Sequence, residues 1–195
     1  MHVPKTLSLL LTGYEPFLSN PVNPSEVIAQ KFNGTVLIDG DRHISITSVI
    51  NPVTGDGAQR AAQAIRGSGQ GFAFDAIVHL GLNAKSSTLH IELCGFNHAV
   101  ESGSKARDDG PEILPSLLNV RRLCEMNHLK EGEIEFSRDA GTYYCNEQLY
   151  SSLYELSKCE MYRPCLFLHL PAKSVQEIEK YTKLVEEVIK ATCIL

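Results

Sequence analysis

The sequence has no run of basic residues, no apolar stretch long enough to cross a bilayer, no CxxC pair and no glycine-rich phosphate loop. With Lys+Arg at 18 against Asp+Glu at 23, the formal charge is −5, which argues against a nucleic-acid phosphate track or a membrane-surface role. Leu7 to Leu11, the apolar stretch near the N-terminus, falls far short of the ~20 residues a bilayer needs. It also lacks a small-residue cleavage site behind a charged leader, so a soluble, unprocessed, cytoplasmic protein is expected. Without CxxC the six cysteines, Cys94, Cys124, Cys145, Cys159, Cys165 and Cys193, signal neither a zinc knuckle nor a thioredoxin-type pair. They read as thiols, most of them small buried hydrophobes. Neither GxGxxG nor GxxxxGKS/T follows an expected strand, which removes nucleotide and dinucleotide chemistry. No cofactor is implied.

What the chain does have is 43% hydrophobic residues over 195 positions, enough for one core without disulfides or a structural metal. No repeat or linker divides it, and apolar segments run from Leu7 to Ile194, so residues 1–195 are expected to form one domain. Thr6 to Leu11 reads as a strand that ends at Thr12-Gly13 and a loop rich in Pro and Asn. Asn23 as N-cap, Pro24 at the first helical position and Glu26 at the capping-box site start a helix that Asn33-Gly34 stops. Thr35 to Ile38 and Ile44 to Ile50 follow as strands, and Ala58, Ala61, Ala62 and Ile65 recur at helical spacing before Gly67.

Asp75 to Leu82 is nearly all apolar, the pattern of a strand covered on both faces. Leu89 to Phe96 reads as a strand, Glu101 to Pro111 as a polar loop, Leu114 to Met126 as a helix and Glu133 to Phe136 as a strand. Thr142 to Ser157 is an expected helix with Leu149, Leu153 and Leu156 on one stripe. Cys165 to Leu170 is a second buried strand. Ser174 and Glu177 form an expected capping box for a last helix that turns Ile178, Tyr181, Leu184 and Val188 inward. Strands alternating with helices predict an α/β/α sandwich of three layers. Strand order and direction stay open.

In such sheets functional groups gather beyond the carboxyl ends of the strands. Thr12 to Phe17 follows the first strand, Cys145 follows Glu133 to Phe136 through a loop, and His169 ends the strand from Cys165. If these strands are parallel, all three arrive at one edge, and a thiol beside an imidazole is the working pair of a cysteine hydrolase. Thr142 is expected to cap the helix that Cys145 begins, where the helix dipole favours a thiolate. The same pattern also describes an inert buried thiol on the Leu149 and Leu156 stripe. His169 has the parallel alternative of a satisfied core histidine. Glu92 sits in an apolar strand pattern and there needs a partner such as a histidine, unless it faces water from an edge. His90, Cys94 and His98 recur every four residues. On a strand such residues lie about 13 Å apart, too far to share a zinc at ~2.0 to 2.3 Å, although on a helix they would converge.

These segments resemble the pyroglutamyl peptidase I (pyrrolidone carboxyl peptidase) family of cysteine peptidases. The family opens with TGFEPF followed by NPS, and here TGYEPF (Thr12 to Phe17) is followed by Asn23 to Ser25. Its AGTYxCN segment matches Ala140 to Asn146, and its FxHxP strand end matches Phe167, His169 and Pro171. Its glutamate falls on Glu92 in LGLNAKSSTLHIELCGFN. The resemblance implies a phosphorylase/hydrolase-like α/β/α fold on a mainly parallel mixed sheet, with a triad of Cys145, His169 and Glu92. It implies removal of N-terminal pyroglutamyl residues from peptides. Pyroglutamate carries no α-ammonium group, so its pocket is expected to be apolar, with Tyr14 and Phe17 as walls. Thr142 is counted among the substrate-binding residues, and the Cys145 N–H, at a helix start, is the expected oxyanion donor.

The chain also departs from the family pattern. Leu18-Ser19-Asn20 stand where the family has glycines, Tyr14 replaces a Phe, and Asn83 to Ser87 replace a glycine- and arginine-containing stretch. Leu93 follows Glu92 where an arginine is common. Ser102 falls where the family places an oxyanion-binding arginine, and Arg107 is the candidate to replace it. Loss of one oxyanion donor costs on the order of 10² to 10³ in turnover. A catalytically weak or inactive relative that binds peptides or a protein partner is therefore the alternative, with a metal-dependent hydrolase on His90, Cys94 and His98 as a third reading. The sequence sets no oligomeric state.

Overall fold

The computed structural model describes residues 5–17, 20–68, 71–126, 131–160 and 162–193. Leu18, Ser19 and Ile194, named above, lie outside the described residues. Seven strands form one sheet in the order β2-β3-β1-β4-β9-β5-β8. These are β1 (Lys5–Tyr14), β2 (Val36–Asp39), β3 (Arg42–Asn51), β4 (Ala76–Asn83), β5 (Leu89–Glu92), β8 (Ile134–Ser137) and β9 (Cys165–Pro171). Strands β3, β1, β4 and β9 are parallel. β2 runs antiparallel to β3, and β5 runs antiparallel to β9 while pairing parallel with β8. The sheet is mixed, as the resemblance implied. The expectation that the strands leading to Cys145 and His169 are parallel is corrected, since β8 points against β9.

Alternation along the central strands assigns the two faces. Leu7, Leu9 and Leu11 of β1, Val78 and Leu80 of β4, and Leu166, Leu168 and Leu170 of β9 join one core. That core also takes Ile28 and Phe32 of α1 (Pro24–Phe32) and Tyr181, Leu184 and Val188 of α5 (Ile178–Thr192). Leu10, Ile77, Cys165 and Phe167 turn to the other face, against Ala61 and Ile65 of α2 (Gly55–Ser68) and Leu149 and Leu153 of α4 (Tyr144–Leu156). Each fully buried Leu, Ile, Val or Phe among them contributes about 1.5–3 kcal/mol, so both faces are strongly held. Three layers result.

Local signals account for most ends and for several departures. Asn23 caps α1 through its side chain on the Ser25 N–H, with Pro24 next and Gly34 at φ 74 beyond the helix. Glu26 does not close the box, because its carboxylate accepts from Gln30 Nε2 instead. Leu114 to Met126 is not one helix but β7 (Ile113–Pro115) followed by α3 (Val120–Cys124). Pro115 inside an apolar run removes a helical donor, and Leu117 instead exchanges backbone bonds with Cys165. Leu89 to Phe96 breaks at Leu93, after which β6 (Cys94–Phe96) leaves the main sheet to pair with β7. Ser174 and Glu177 form no capping box: Ser174 Oγ donates to the Pro171 carbonyl within a short 3-10 turn, and Glu177 makes no side-chain cap.

Candidate active site

On β9, Phe167 and His169 share the face that turns toward α4. Glu92 stands opposite Phe167 across the antiparallel β5–β9 pair, and so lies diagonal to His169 on that same face. His169 donates from Nδ1 to Glu92 Oε1 at 2.7 Å. Glu92 is wholly buried and its Oε2 has no hydrogen-bond partner among the described residues. Its charge is therefore directed at the imidazole.

Cys145 reaches this point from above the sheet. Gly141, at φ 77, turns the chain, with its N–H held by Asp139 Oδ1 at 2.9 Å. Tyr143, with φ −110 and ψ −173, is the N-cap and makes no side-chain bond. Thr142 is thus not the cap, because the helix starts at Tyr144, one residue too late for its hydroxyl. Cys145 occupies the second helical position, where first-turn N–H groups lack intrahelical acceptors and negative charge is favoured. Gly81 of β4, registered with His169, leaves room for the sulfur: a Cβ there would lie 3.0 Å from Cys145 Sγ and 2.6 Å from Phe167 Cζ.

With Nδ1 committed to Glu92, Nε2 is the atom left for Cys145. Burial opposes a charged ring, but the charge of Cys145, a hydrogen bond with it, and the bond and charge of Glu92 outweigh that and push His169 up to about 9. The structure thus brings Cys145, His169 and Glu92 into one site.

The start of α4 is anchored by polar residues that the stripe of leucines did not announce. Asn146 is buried and exchanges two bonds with the backbone of Phe96, at 2.7 and 2.9 Å. Glu147 accepts from Gln59 Nε2 and from the Val100 N–H, both at 2.9 Å. Every residue of α4 from Asn146 to Leu156 is buried, so the helix is covered all round rather than on one stripe. The signal for this was the density of Asn, Glu, Gln and Ser in a helix that begins at the candidate nucleophile.

Two cavities meet at Cys145. The first, about 560 Å³, is walled by Tyr14, Phe17, Val53, Leu82 and Tyr143, with Asn20, Asn23, Tyr144 and Lys85 among the other residues that line it. Tyr14 and Phe17 both line this first cavity. Tyr14 donates to the Tyr144 carbonyl at 3.1 Å, and burial, then the charge of Cys145, push its hydroxyl well above the ordinary range, so it stays neutral. The second cavity, about 490 Å³, is lined by His169, Asn83, Lys85, Asp139 and Thr142. Thr142 belongs to this second space and does not line the first.

Arg107 does not serve the site. Its guanidinium donates to Gln59 Oε1 at 2.8 Å, lies 3.8 Å from Glu155 and faces the Tyr154 ring at 5.6 Å. Glu155 and Tyr154 are on the far half of α4, ten and nine residues beyond Cys145, or about 13–15 Å along the helix. Ser102 is exposed and bonded to Ser104. The cation lining both cavities is Lys85. His90 and Cys94 lie on strands β5 and β6, and His90 bonds Ser86 at 2.9 Å. Among the described residues no group of three His, Cys, Asp or Glu is placed to hold a metal. All six cysteines are free. No described helix is long and apolar enough to cross a membrane.

The family model for pyroglutamyl peptidase matches residues 7–193. The chain belongs to the pyroglutamyl peptidase family. It is 31% identical over 180 residues to the pyrrolidone-carboxylate peptidase of Halalkalibacterium halodurans, covering 84% of this chain and 83% of that one. To human pyroglutamyl-peptidase 1 it is 26% identical over 176 residues, covering 84% and 78%. The crystal structure of Bacillus amyloliquefaciens pyroglutamyl peptidase I superposes with a TM-score of 0.78 at 23% identity, covering 95% of this chain and 96% of that one. That likeness carries the α/β fold across the whole sheet.

Proposed function

We propose that this chain is a cysteine exopeptidase, acting as a single domain, that removes N-terminal pyroglutamyl residues from peptides. Cys145 is the nucleophile, His169 the general base and then acid, and Glu92 the positioning residue. The observation that carries this reading is the His169 imidazole, bonded to Glu92 at Nδ1 and raised to about 9 by Cys145 and Glu92 together. His169 takes the proton of the Cys145 thiol, and the sulfur meets the substrate as the nucleophile. It attacks the acyl carbon that bears the lactam ring. His169 then protonates the departing amine, and afterwards takes a proton from the water that hydrolyses the thioester.

Pyroglutamate has no α-ammonium, and the cavity walled by Tyr14, Phe17, Val53, Leu82 and Tyr143 suits an uncharged ring. The N–H of Cys145 in the first turn of α4 is positioned to stabilise the developing oxyanion. No cofactor enters this chemistry. Six free thiols fit a reducing compartment, and the cytoplasm is the proposed location. The non-catalytic alternative gains no support from a geometry that keeps thiol, imidazole and carboxylate together.

The test is release of a fluorescent amine from a pyroglutamyl amide by wild type and by Cys145→Ala, with and without a chelator. Turnover that needs Cys145 and ignores the chelator is expected. A wild-type enzyme that is silent, or that stops with chelator, defeats the reading.

A further inference from the structure

Whichever group leaves must receive its proton from His169, and that requirement separates the two cavities. His169 lines the second cavity and is absent from the walls of the first. If the pyroglutamyl ring occupies the apolar first cavity, the scissile nitrogen and the residue after it lie in the second. That space is far less apolar than the first, and its wall carries a cation.

Lys85 stands on the turn between β4 and β5, an ordered turn in which the Lys85 N–H donates to Asn83 Oδ1 at 3.1 Å and the Ser86 N–H to the Asn83 carbonyl at 3.1 Å. Lys85 lines both cavities, as Cys145 does. Among the described residues its ammonium forms no ion pair. Asp139 faces the second cavity only, from the loop before α4, and one of its oxygens is held by the Gly141 N–H. The second cavity thus carries one cation and one anion on its wall, and of the two only the cation also borders the first cavity.

We propose that Lys85 is a specificity residue for the leaving side, selecting substrates that carry a carboxylate on the residue following pyroglutamate. The carboxylate has two sources: the α-carboxylate of a pyroglutamyl dipeptide, or an acidic side chain at that position in a longer peptide. The proposal rests on the peptidase reading above. An exposed pair of this kind is worth up to ~1 kcal/mol, a factor of about five.

The experiment uses four substrates: pyroglutamyl-alanine, pyroglutamyl-alaninamide, pyroglutamyl-glutamic acid with its α-carboxyl amidated, and its glutamine counterpart. The ratio of kcat/KM within each carboxylate and amide pair cancels any general effect of a substitution. Wild type is expected to favour the carboxylate about threefold to fivefold in at least one pair, mainly through KM, and to lose part of that preference in salt. The first pair reports the α-carboxylate and the second the side chain. Lys85→Met should bring the ratio to about one, Lys85→Glu should invert it, and Asp139→Asn should raise it. A ratio of one for both pairs in wild type, or a preference that survives Lys85→Glu, overturns the proposal. Binding of the same substrates to Cys145→Ala, with and without Lys85→Met, measured by calorimetry, gives the ratio without turnover. Failure of catalysis is thus kept apart from failure of this inference.

Discussion

His169 and His79 stand on neighbouring strands, β9 and β4, and both turn toward α4 from the same face of the sheet. Both are buried. The Phe167 ring is near each, 4.7 Å from His169 and 6.1 Å from His79 by ring centroids. His169 faces Glu92 and Cys145 and is pushed up to about 9. His79 faces the Thr12 hydroxyl at 2.8 Å, the Ser152 hydroxyl at 3.1 Å and the Cys165 sulfur at 4.0 Å, and burial alone pushes it down to about 3. The residue type, the face and the burial are shared, so the charge of the neighbours decides the protonation state. Only one of the two rings can pass a proton near neutral pH.

The sharpest way to break this contrast is to remove the anions from His169. Cys145→Ala should reduce turnover of a pyroglutamyl amide by about 10⁴ or more, the scale seen when a nucleophile is deleted. It should also lower the pKa of the His169 ring, read from its imidazole proton resonances. A ring that still titrates near 9 in that variant would show that Cys145 contributes nothing to its charge. Glu92→Gln should cost about 10³ in kcat, because the amide no longer steadies the cationic ring or its orientation. That ring too should titrate lower, nearer the ordinary histidine range. Unchanged kcat would remove Glu92 from the positioning role.

How much of this contrast was legible beforehand depended on whether the deciding interaction is local. The cap of α1 and the apolar runs of β4 and β9 are written in adjacent residues, and the structure follows them, whereas β1 continues past the expected stop at Thr12-Gly13 to Tyr14. Cys145, His169 and Glu92 stood out by residue type and motif, and the structure brings them together. Strand direction was not legible, because nothing within Leu89 to Glu92 states that its partner β9 runs the other way. Nor was the destination of Arg107, set by Gln59 on α2 and Glu155 on α4, 48 positions away on either side. Lys85 escaped notice for the same reason: its turn looks like any polar loop until Cys145 is folded down beside it. Pro115 and the run before Tyr143 are different cases, since local chemistry was there and apolar periodicity outweighed it.

A smaller effect separates the two histidines by pH. Taking ~6.5 as the unfolded value, the folded chain refuses a proton at His79 until pH falls to about 3. Its contribution is fully present above 6.5 and is lost between there and 3, at about 1.4 kcal/mol per pH unit. His169 works in the opposite direction, with a contribution complete below 6.5 and lost as pH rises through about 9. Denaturant midpoints measured from pH 4 to 9 should therefore fall on both sides. His79→Gln should flatten the acid side relative to wild type and leave the alkaline side as it was. An acid limb of equal slope in the two proteins would mean that His79 is not the group refusing the proton.

The smallest effect tests how His79 is held. Gln148 Nε2 donates to Thr12 Oγ1 at 3.2 Å, so the Thr12 hydroxyl hydrogen is free to donate to His79 Nδ1, and the ring donates from Nε2 to Ser152 Oγ. Ser152→Ala leaves that buried N–H without its acceptor, which costs about 1–3 kcal/mol. Ser152 lies seven residues beyond Cys145 on α4 and lines neither cavity. Its loss should lower the midpoint of chemical denaturation while kcat/KM for a pyroglutamyl amide stays within about twofold. If turnover fell with stability, the neutral histidine would be coupled to the charged one through Phe167, and the two rings would form one device instead of two.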